Sequence, residues 1–421
     1  MGVQRANRNG AHGRHFAFFS FPGVGHVRPT LPVVSELLAR GHQVSYVVAD
    51  RFGDTVGETG ARTIRYPSTF PPALPLVRTV DELAEVTVAY LSEASAAWPV
   101  AWSAFDDGPP DVVVEDALST AVSRFTAHRF GCPVVRVFPG LAGNDRVPIN
   151  GSEPEPDSPR LDGEHPVITA CYTGLLERLR PYGVDGERLA AIISGGEVAA
   201  NLVFVPRAFQ PHADYFDDSF VFAGPTADRR PAATEWRPPS GRRTVLISLG
   251  TSARPNPAFF RECAEAFADS DWHVVMATAR HIGPAESSAL PGSVETHEWL
   301  DYGAVLPHAS VVVCQGGAGS LMEAFRHGAP VVVVPQQPDA RAAARHVVDL
   351  GLGLALLDQT SGTAVRAAVD AVVADDHMRR RVDRMRTAIE TSGGSRCAVD
   401  VLERVGAHRS LSEKWSDALW S

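Results

Sequence analysis

Three places in this chain carry residues whose types and spacing could do chemistry. The stretch Val311–Ala324 reads VVVCQGGAGSLMEA. A short apolar run, Val311–Val313, meets a turn containing Gly316, Gly317 and Gly319, and an amphipathic helix opens from it. A helix start presents backbone N–H groups without internal partners and a partial positive charge, so this turn suits a phosphate or diphosphate. No Gly-Lys-Ser/Thr follows, which excludes the phosphate loop of nucleotide hydrolases, and a strict dinucleotide fingerprint is also missing. Glycines that serve only to pack a strand-to-helix turn are the other reading. The second place is His26, in Pro22-Gly23-Val24-Gly25-His26 after the apolar strand Phe16–Ser20. A neutral imidazole with a pKa of about 6.5 in such a turn can take a proton from an alcohol. The third is Asp116, just past the strand run DVVVE, Asp111–Glu115. A carboxylate there could hold the His26 Nδ1–H and stabilise the imidazolium, as the acid of a serine-protease triad does. Each has a plainer alternative: a helix-start histidine with a structural hydrogen bond, and a helix N-cap.

Other chemistries find no support. No serine sits in a nucleophile elbow, so acyl transfer is not indicated. The acidic pairs Asp106-Asp107, Asp217-Asp218 and Asp375-Asp376 lie in polar stretches without metal-ligand spacing, so no catalytic metal is expected. The formal charge of −10 argues against a nucleic-acid or anionic-membrane surface. Any diphosphate must then be met by local dipoles. Five scattered cysteines, Cys132, Cys171, Cys263, Cys314 and Cys397, predict reduced thiols and a cytoplasmic protein.

The elements that must position these residues are legible as alternating strands and helices. A chain of 421 residues predicts two domains. In the first half, strands are expected at Phe16–Ser20, Val44–Val48, Asp111–Glu115 and Pro133–Val137, with a helix from about Pro29 to Arg40 stopped by Gly41. In the second, strands are expected at Thr244–Leu249, His273–Ala277, Ser293–Glu298, Val311–Val313 and Val331–Val334. Helices are expected at about Pro257–Ala268, Ser320–His327, Ala340–Leu350 and Thr363–Ala374. Residues 1–14 read as a loose tail, 15–225 and 244–405 as domains, and 226–243 as a Pro-, Arg- and Gly-rich linker. Residues 140–165 read as a mobile loop, and 406–421, with Trp415 and Trp420, as a tail able to pack back on the first domain. The fold class is α/β: two facing doubly wound domains. In such sheets ligands sit at the carboxyl ends of strands, where His26, Asp116, Thr251 and the 315–320 turn all fall.

From about residue 14 to 405 the chain resembles the macrolide and natural-product glycosyltransferases of the GT-B fold, relatives of the plant small-molecule glucosyltransferases. The segments that carry the resemblance are FFSFPGVGHVRPTLPVVSELLARGHQVSY at the start, VPRAFQPHADYFDDSFVFAGPT (205–226) and LISLGTS (246–252). EWLDYGAVLPHASVVVCQGGAGSLMEAF (298–325) and VPQQPDARAAARHVVDLGLG (334–353) complete them, in that order. The resemblance implies that His26 is the general base and Asp116 its partner, in an inverting, metal-independent transfer through an oxocarbenium-like transition state. It implies an acceptor in the first domain and a nucleotide diphosphate sugar in the second, as co-substrate rather than cofactor. Trp299 would stack on the base and Glu323 would hold the ribose. Gly25, Thr251, Ser252 and the backbone of Gly316, Gly317, Ala318, Gly319 and Ser320 would meet the diphosphate end, and Asp339 the sugar hydroxyls.

The chain also departs from the family pattern. Gln315 stands where a histidine usually meets the diphosphate, and Asp301-Tyr302 replace a Pro-Gln after the tryptophan. Ala340 and Ala343 replace a glutamine and an asparagine near the sugar. Fewer polar partners suit a donor with fewer hydroxyls, such as a dTDP-linked deoxysugar; UDP-linked donors stay open. A weak or auxiliary homologue that activates a partner transferase is an alternative, and a nucleotide-sugar epimerase is a third. For the acceptor, a hydrophobic natural product such as a macrolide or other polyketide, Ser68–Val77 and Phe138-Pro139 are candidates, against simple packing. A homodimer is an open expectation.

Overall fold

A computed structural model describes residues 13–71, 79–149, 161, 165–182, 184–187, 189–190, 198–226, 236–239, 241–250, 257–278, 282–336, 338–357 and 361–407. The first half contains strands β1 (His15–Phe19), β2 (Gln43–Ala49), β3 (Arg62–Tyr66), β4 (Val112–Asp116), β5 (Val134–Phe138), β6 (Ala200–Val203) and β7 (Phe220–Phe222). They form one parallel sheet in the order β3-β2-β1-β4-β5-β6-β7. The second half contributes β8 (Arg243–Ser248), β9 (Trp272–Ala277), β10 (Val294–His297), β11 (Ala309–Cys314), β12 (Val331–Val333) and β13 (Gly353–Ala355). These form a second parallel sheet, ordered β10-β9-β8-β11-β12-β13. Parallel sheets are covered by helices on both faces, so central strands such as Val112–Val114 and Val311–Val313 are apolar on both sides and buried.

Each sheet reverses strand order once, between β1 and β4 and again between β8 and β11. Neighbouring crossovers leave in opposite directions there, opening a crevice beyond the carboxyl ends of those strands. Those two ends carry the residues of interest.

Several local expectations shift. β4 runs to Asp116, so that carboxylate ends the strand instead of following it. The next helix, Thr120–Phe130, has Ser119 at its N-cap, which removes the capping reading of Asp116. The helix expected from about Pro29 to Arg40 is a 3-10 turn, Arg28–Thr30, followed by the helix Leu31–Ala39, and a short unexpected helix, Val24–Val27, precedes them. Pro29 lacks an N–H and tolerates only the first positions of a helical turn, so the chain tightens there before continuing. Gly41, at φ +83°, ends the helix as its sequence position implied. The basic helix Asp376–Thr391 turns Arg379, Arg380, Arg381, Arg384 and Arg386 to solvent and buries Met378, Val382, Met385 and Ile389.

The last described helix, Gly394–Ala407, packs on the first sheet although most of it belongs to the expected domain 244–405. Ala398, Val399, Val401 and Leu402 join Phe16, Val34, Leu37 and Val112 in one buried cluster. At the rim Arg40 meets Asp400 at 2.7 Å and Glu403 at 2.9 Å, and His42 meets Glu403 at 2.9 Å. These half-exposed pairs contribute little, so the apolar face holds the helix. Trp415 and Trp420 lie outside the described residues. Replacing the fully buried Leu402 by Ala is expected to destabilise the chain by about 2–5 kcal/mol in denaturant unfolding. A change under about 0.5 kcal/mol would mean the helix face is not part of the core.

Candidate active site

The chain leaving β1 turns through Ser20–Gly23 into the Val24–Val27 helix, which presents His26 at the first switch point. Gly23 is needed there: a Cβ would stand 3.2 Å from His26 Cδ2 and crowd the imidazole. Over Gly25 a Cβ would meet nothing within 4 Å, so that position borders open space. Thr30 fixes the turn from behind, donating its hydroxyl to Val27 O at 2.8 Å and pairing with the Tyr46 hydroxyl at 2.6 Å.

Asp116 stands on the adjacent strand with its side chain only 2% exposed, and His26 Nδ1 donates to its Oδ2 at 2.8 Å. The other carboxylate oxygen accepts from Leu118 N at 2.9 Å. Both oxygens are thus committed, the first as acceptor from Nδ1, which leaves the lone pair of the neutral imidazole on Nε2. Burial lowers the His26 pKa, but the Asp116 charge and hydrogen bond outweigh it, and the net shift is upward. A base of raised pKa, with its imidazolium stabilised, is suited to accept a proton. Beside it lies an aromatic wall. Phe21 sits edge-on to His26 with ring centroids 5.1 Å apart, backed by Phe70 at 4.7 Å and Tyr90 at 5.1 Å. Phe70 is thus the described part of the Ser68–Val77 candidate that reaches the site; residues 72–78 lie outside the described residues. Phe138 does not reach it. Its ring is 2% exposed and packs toward Phe220, so the acceptor role expected for it gives way to core packing at the end of a central strand.

The second switch point holds the Gly-rich turn. Gly317 is the N-cap of the Ala318–Arg326 helix and offers no side-chain cap. Over Gly317 and Gly319 an added Cβ would meet nothing within 4 Å. Gly316, at φ +99°, would bring a Cβ within 3.0 Å of Val333 Cγ1 and 3.4 Å of Ala340 O. Only glycine fits both the conformation and the space. Gly250, at φ +74°, likewise passes the Gln315 amide, whose Nε2 would lie 2.7 Å from a Cβ there. Trp299 follows β10 and is 61% exposed, an unusual state for an indole. Glu323, on the same helix as the turn, is half-buried with Oε1 3.7 Å from Arg326 Nε. Thr251 and Ser252 lie outside the described residues. Asp339 falls in the first turn of the Pro338–Asp349 helix, with its side chain outside the description.

The lobes meet next to this turn: a Cβ on Gly140, just after β5, would stand 3.2 Å from the Ala318 Cβ. Two polar side chains pair at the end of β8: Ser248, which the sequence did not mark, and Tyr302, marked there only as a departure from the family pattern. Tyr302 donates its hydroxyl to Ser248 Oγ at 2.7 Å, joining the end of β8 to the β11 side. A serine ending the apolar run TVLIS at a strand's carboxyl end was the available signal for Ser248. Among the described residues, no group of three or more His, Cys, Asp or Glu side chains could hold a metal ion. No helix among them is long and apolar enough to cross a membrane.

Two facing doubly wound lobes, a His–Asp pair at one switch point and an uncapped helix start at the other, define the GT-B class of transferase. Comparison with known proteins carries this further. Residues 261–399 match the model of the Erythromycin biosynthesis protein CIII-like, C-terminal domain. The chain is 33% identical to the demethyllactenocin mycarosyltransferase of Streptomyces fradiae, over 92% of this chain and 86% of that one. It is 31% identical to the NDP-glycosyltransferase YjiC of Bacillus licheniformis, over 93% and 97% of the two chains. The crystal structure of CalG4, the calicheamicin glycosyltransferase, matches with a TM-score of 0.79 at 35% identity, over 94% and 98%. The chain belongs to the macrolide glycosyltransferase family and is a glycosyltransferase.

The geometry makes a titration testable. His26 is expected to titrate above 6.5, followed by NMR of its ring. In Asp116→Asn the raising charge goes, at most a neutral hydrogen bond survives, and burial remains, so the midpoint should fall below that of the wild type. Equal midpoints in the two proteins would contradict the assigned pairing.

Proposed function

We propose that this glycosyltransferase moves a sugar from a nucleoside diphosphate sugar to a hydroxyl of a hydrophobic natural product, with inversion and without a metal. The observation that carries this reading is the 2.8 Å bond between His26 and Asp116 at the mouth of the first lobe. His26 Nε2 takes the proton of the acceptor hydroxyl as its oxygen attacks the anomeric carbon. The bond from that carbon to the β-phosphate oxygen breaks, its electron pair leaving with the nucleoside diphosphate. Asp116 stabilises the imidazolium formed. The uncapped helix start at Gly317 and the backbone of residues 316–320 favour the negative charge that builds on the leaving group.

The donor then lies along the second lobe. Trp299 stacks on the nucleobase, Glu323 takes the ribose hydroxyls, Gln315, Thr251 and Ser252 meet the phosphates, and Asp339 the sugar. Relatives named as a mycarosyltransferase, an NDP-glycosyltransferase and the calicheamicin glycosyltransferase support a nucleotide donor and a natural-product acceptor, with a macrolide or other polyketide as the first choice. Ala340 and Ala343 line the back of Gly316, the first through its carbonyl at 3.4 Å and the second through its Cβ at 3.8 Å from a Cβ built there. They offer no side-chain hydrogen bonds, which favours a deoxysugar on dTDP or UDP. A homologue kept only to activate a partner would have no use for a buried carboxylate on its imidazole. The five free thiols suit a reducing compartment, and we place the protein in the cytoplasm.

Transfer is measured by mass spectrometry of hydroxylated polyketides incubated with UDP- and dTDP-sugars. His26→Ala is expected to lower kcat by about 10²–10⁴-fold with nucleotide affinity unchanged. Retained turnover would overturn the base assignment. Trp299→Ala is expected to raise the donor KM about tenfold or more while kcat changes little, since an aromatic–base stack is worth ~1–3 kcal/mol. An unchanged donor KM would remove the stacking role.

A further inference from the structure

The aromatic wall beside His26 is fastened by two side chains that the reaction above does not use. Glu93 lies in the helix Val80–Ala96 and is only 3% exposed. Its Oε1 accepts from the Tyr66 hydroxyl at 2.6 Å and its Oε2 from Phe70 N at 3.1 Å. A carboxyl group is costly to bury, and here both oxygens are committed to one short stretch of chain. Tyr66 ends β3, and residues 67–70, which follow it, have no helix or strand to fix them. Side-chain bonds to the backbone must then set where Phe70 stands.

Arg51 takes the other side of the same residue. It follows β2, in the 3-10 turn Asp50–Phe52. Its Nη1 donates to Phe70 O and to Ser68 Oγ, each at 3.4 Å, and its Nη2 donates to Pro22 O. Ser68 Oγ also shares the Phe70 N–H, at 3.3 Å. Both backbone groups of Phe70 are thus gripped, the N–H by Glu93 and the carbonyl by Arg51. The same guanidinium holds Pro22, in the turn that carries His26. Phe70 lies edge-on to Phe21 at 4.7 Å and to Tyr90 at 5.0 Å, and Phe21 lies edge-on to His26 at 5.1 Å. Asp116 fixes one atom of the imidazole, Nδ1. The Phe21 ring bears on its tilt about that bond.

We propose that Glu93 and Arg51 are positioning residues for the base. By gripping Phe70 from both sides they set the Phe70–Phe21 contact, and through it the direction in which His26 Nε2 meets the acceptor hydroxyl. The inference rests on the reading of His26 as the base. Neither residue touches substrate or moves a proton. The ends of β1, β2 and β3 and the Val80–Ala96 helix then hold wall and imidazole as one unit.

Two measurements on the full chain test this. Proton NMR follows the His26 ring signals, assigned by their loss in His26→Ala. In Glu93→Ala these signals are expected to shift and the Phe21–His26 cross-peak to weaken. Glu93→Gln still accepts the Phe70 N–H through its carbonyl and can donate to the Tyr66 oxygen, so it should keep both near the wild type. Arg51→Ala, at an exposed residue, makes the same test if Glu93→Ala folds poorly. Transfer kinetics with hydroxylated polyketides and UDP- or dTDP-sugars form the second arm. The alanine variants are expected to lose about 10- to 100-fold in kcat, as for a reacting group misplaced by about 1 Å, with UDP and dTDP affinity within about twofold of the wild type. Unchanged His26 signals in both alanine variants overturn the proposal. So does a parallel loss of kcat and nucleotide affinity, which is what a merely structural role gives. Retained turnover in His26→Ala would overturn the base reading itself, a result separate from either of these.

Discussion

The hydrogen bond from His26 Nδ1 to Asp116 Oδ2 is the contact on which the rest of the site depends. It fixes the tautomer, leaves the ring's lone pair on Nε2, and holds the imidazole pKa above its ordinary value against a burial that would lower it. Sheet register makes the bond. Phe19 pairs with Glu115, so the final residue of β4 stands level with the turn leaving β1. Successive side chains of a strand point to opposite faces, and a slip of one residue would bring Glu115 to His26 in place of Asp116. Glu115 is instead buried on the other face, bonded by Arg136 at 2.9 Å, by Ser123 at 3.0 Å and by Arg124 at 3.2 Å. Burial still pushes its pKa to about 7 despite the pull of Arg136. Two adjacent carboxylates therefore have unlike surroundings: one lies next to the imidazole at the site and the other is locked among arginines.

The second lobe is built differently. Its glycines adopt conformations closed to other residues, at φ +74° for Gly250 and +99° for Gly316, and so bring backbone and amide groups where side chains would clash. The helix start stays uncapped, and the Trp299 indole, just after β10, stands in solvent. An open helix start above two unobstructed glycines has the character of a binding surface. The Gly394–Ala407 helix returns to the first sheet, so the chain crosses between the lobes twice.

Much of this was legible in the residues. Central strands announce themselves as apolar runs because both faces are covered, and the glycine turn and PGVGH turn follow such runs directly. The strands not anticipated, β3, β6, β7 and β13, are short or lie at sheet edges. RTIRY in β3 alternates exposed Arg62 and Arg65 with buried Ile64 and Tyr66, and GLA in β13 has only three residues. An edge needs apolar residues on one side alone, so the run is broken. The His26–Asp116 pair is 90 positions apart in sequence, and no local pattern could join it. It follows from the order β1-β4, a property of topology. Ser248 was hidden for the same reason, and Phe138 misled because an aromatic at a strand end looks the same whether it faces a ligand or a core.

The proposed reaction is a single in-line displacement, with a hydroxyl activated on one lobe attacking the face of the anomeric carbon opposite a diphosphate held by the other. The stereochemistry of one turnover tests it most directly. Proton NMR of the glycoside formed from an α-linked nucleotide sugar should show only the β-anomeric coupling, and the account requires that inversion. An α-linked product would contradict it, since retention needs either a covalent intermediate or attack from the leaving-group side, and this arrangement of His26 and the Gly-rich turn provides neither.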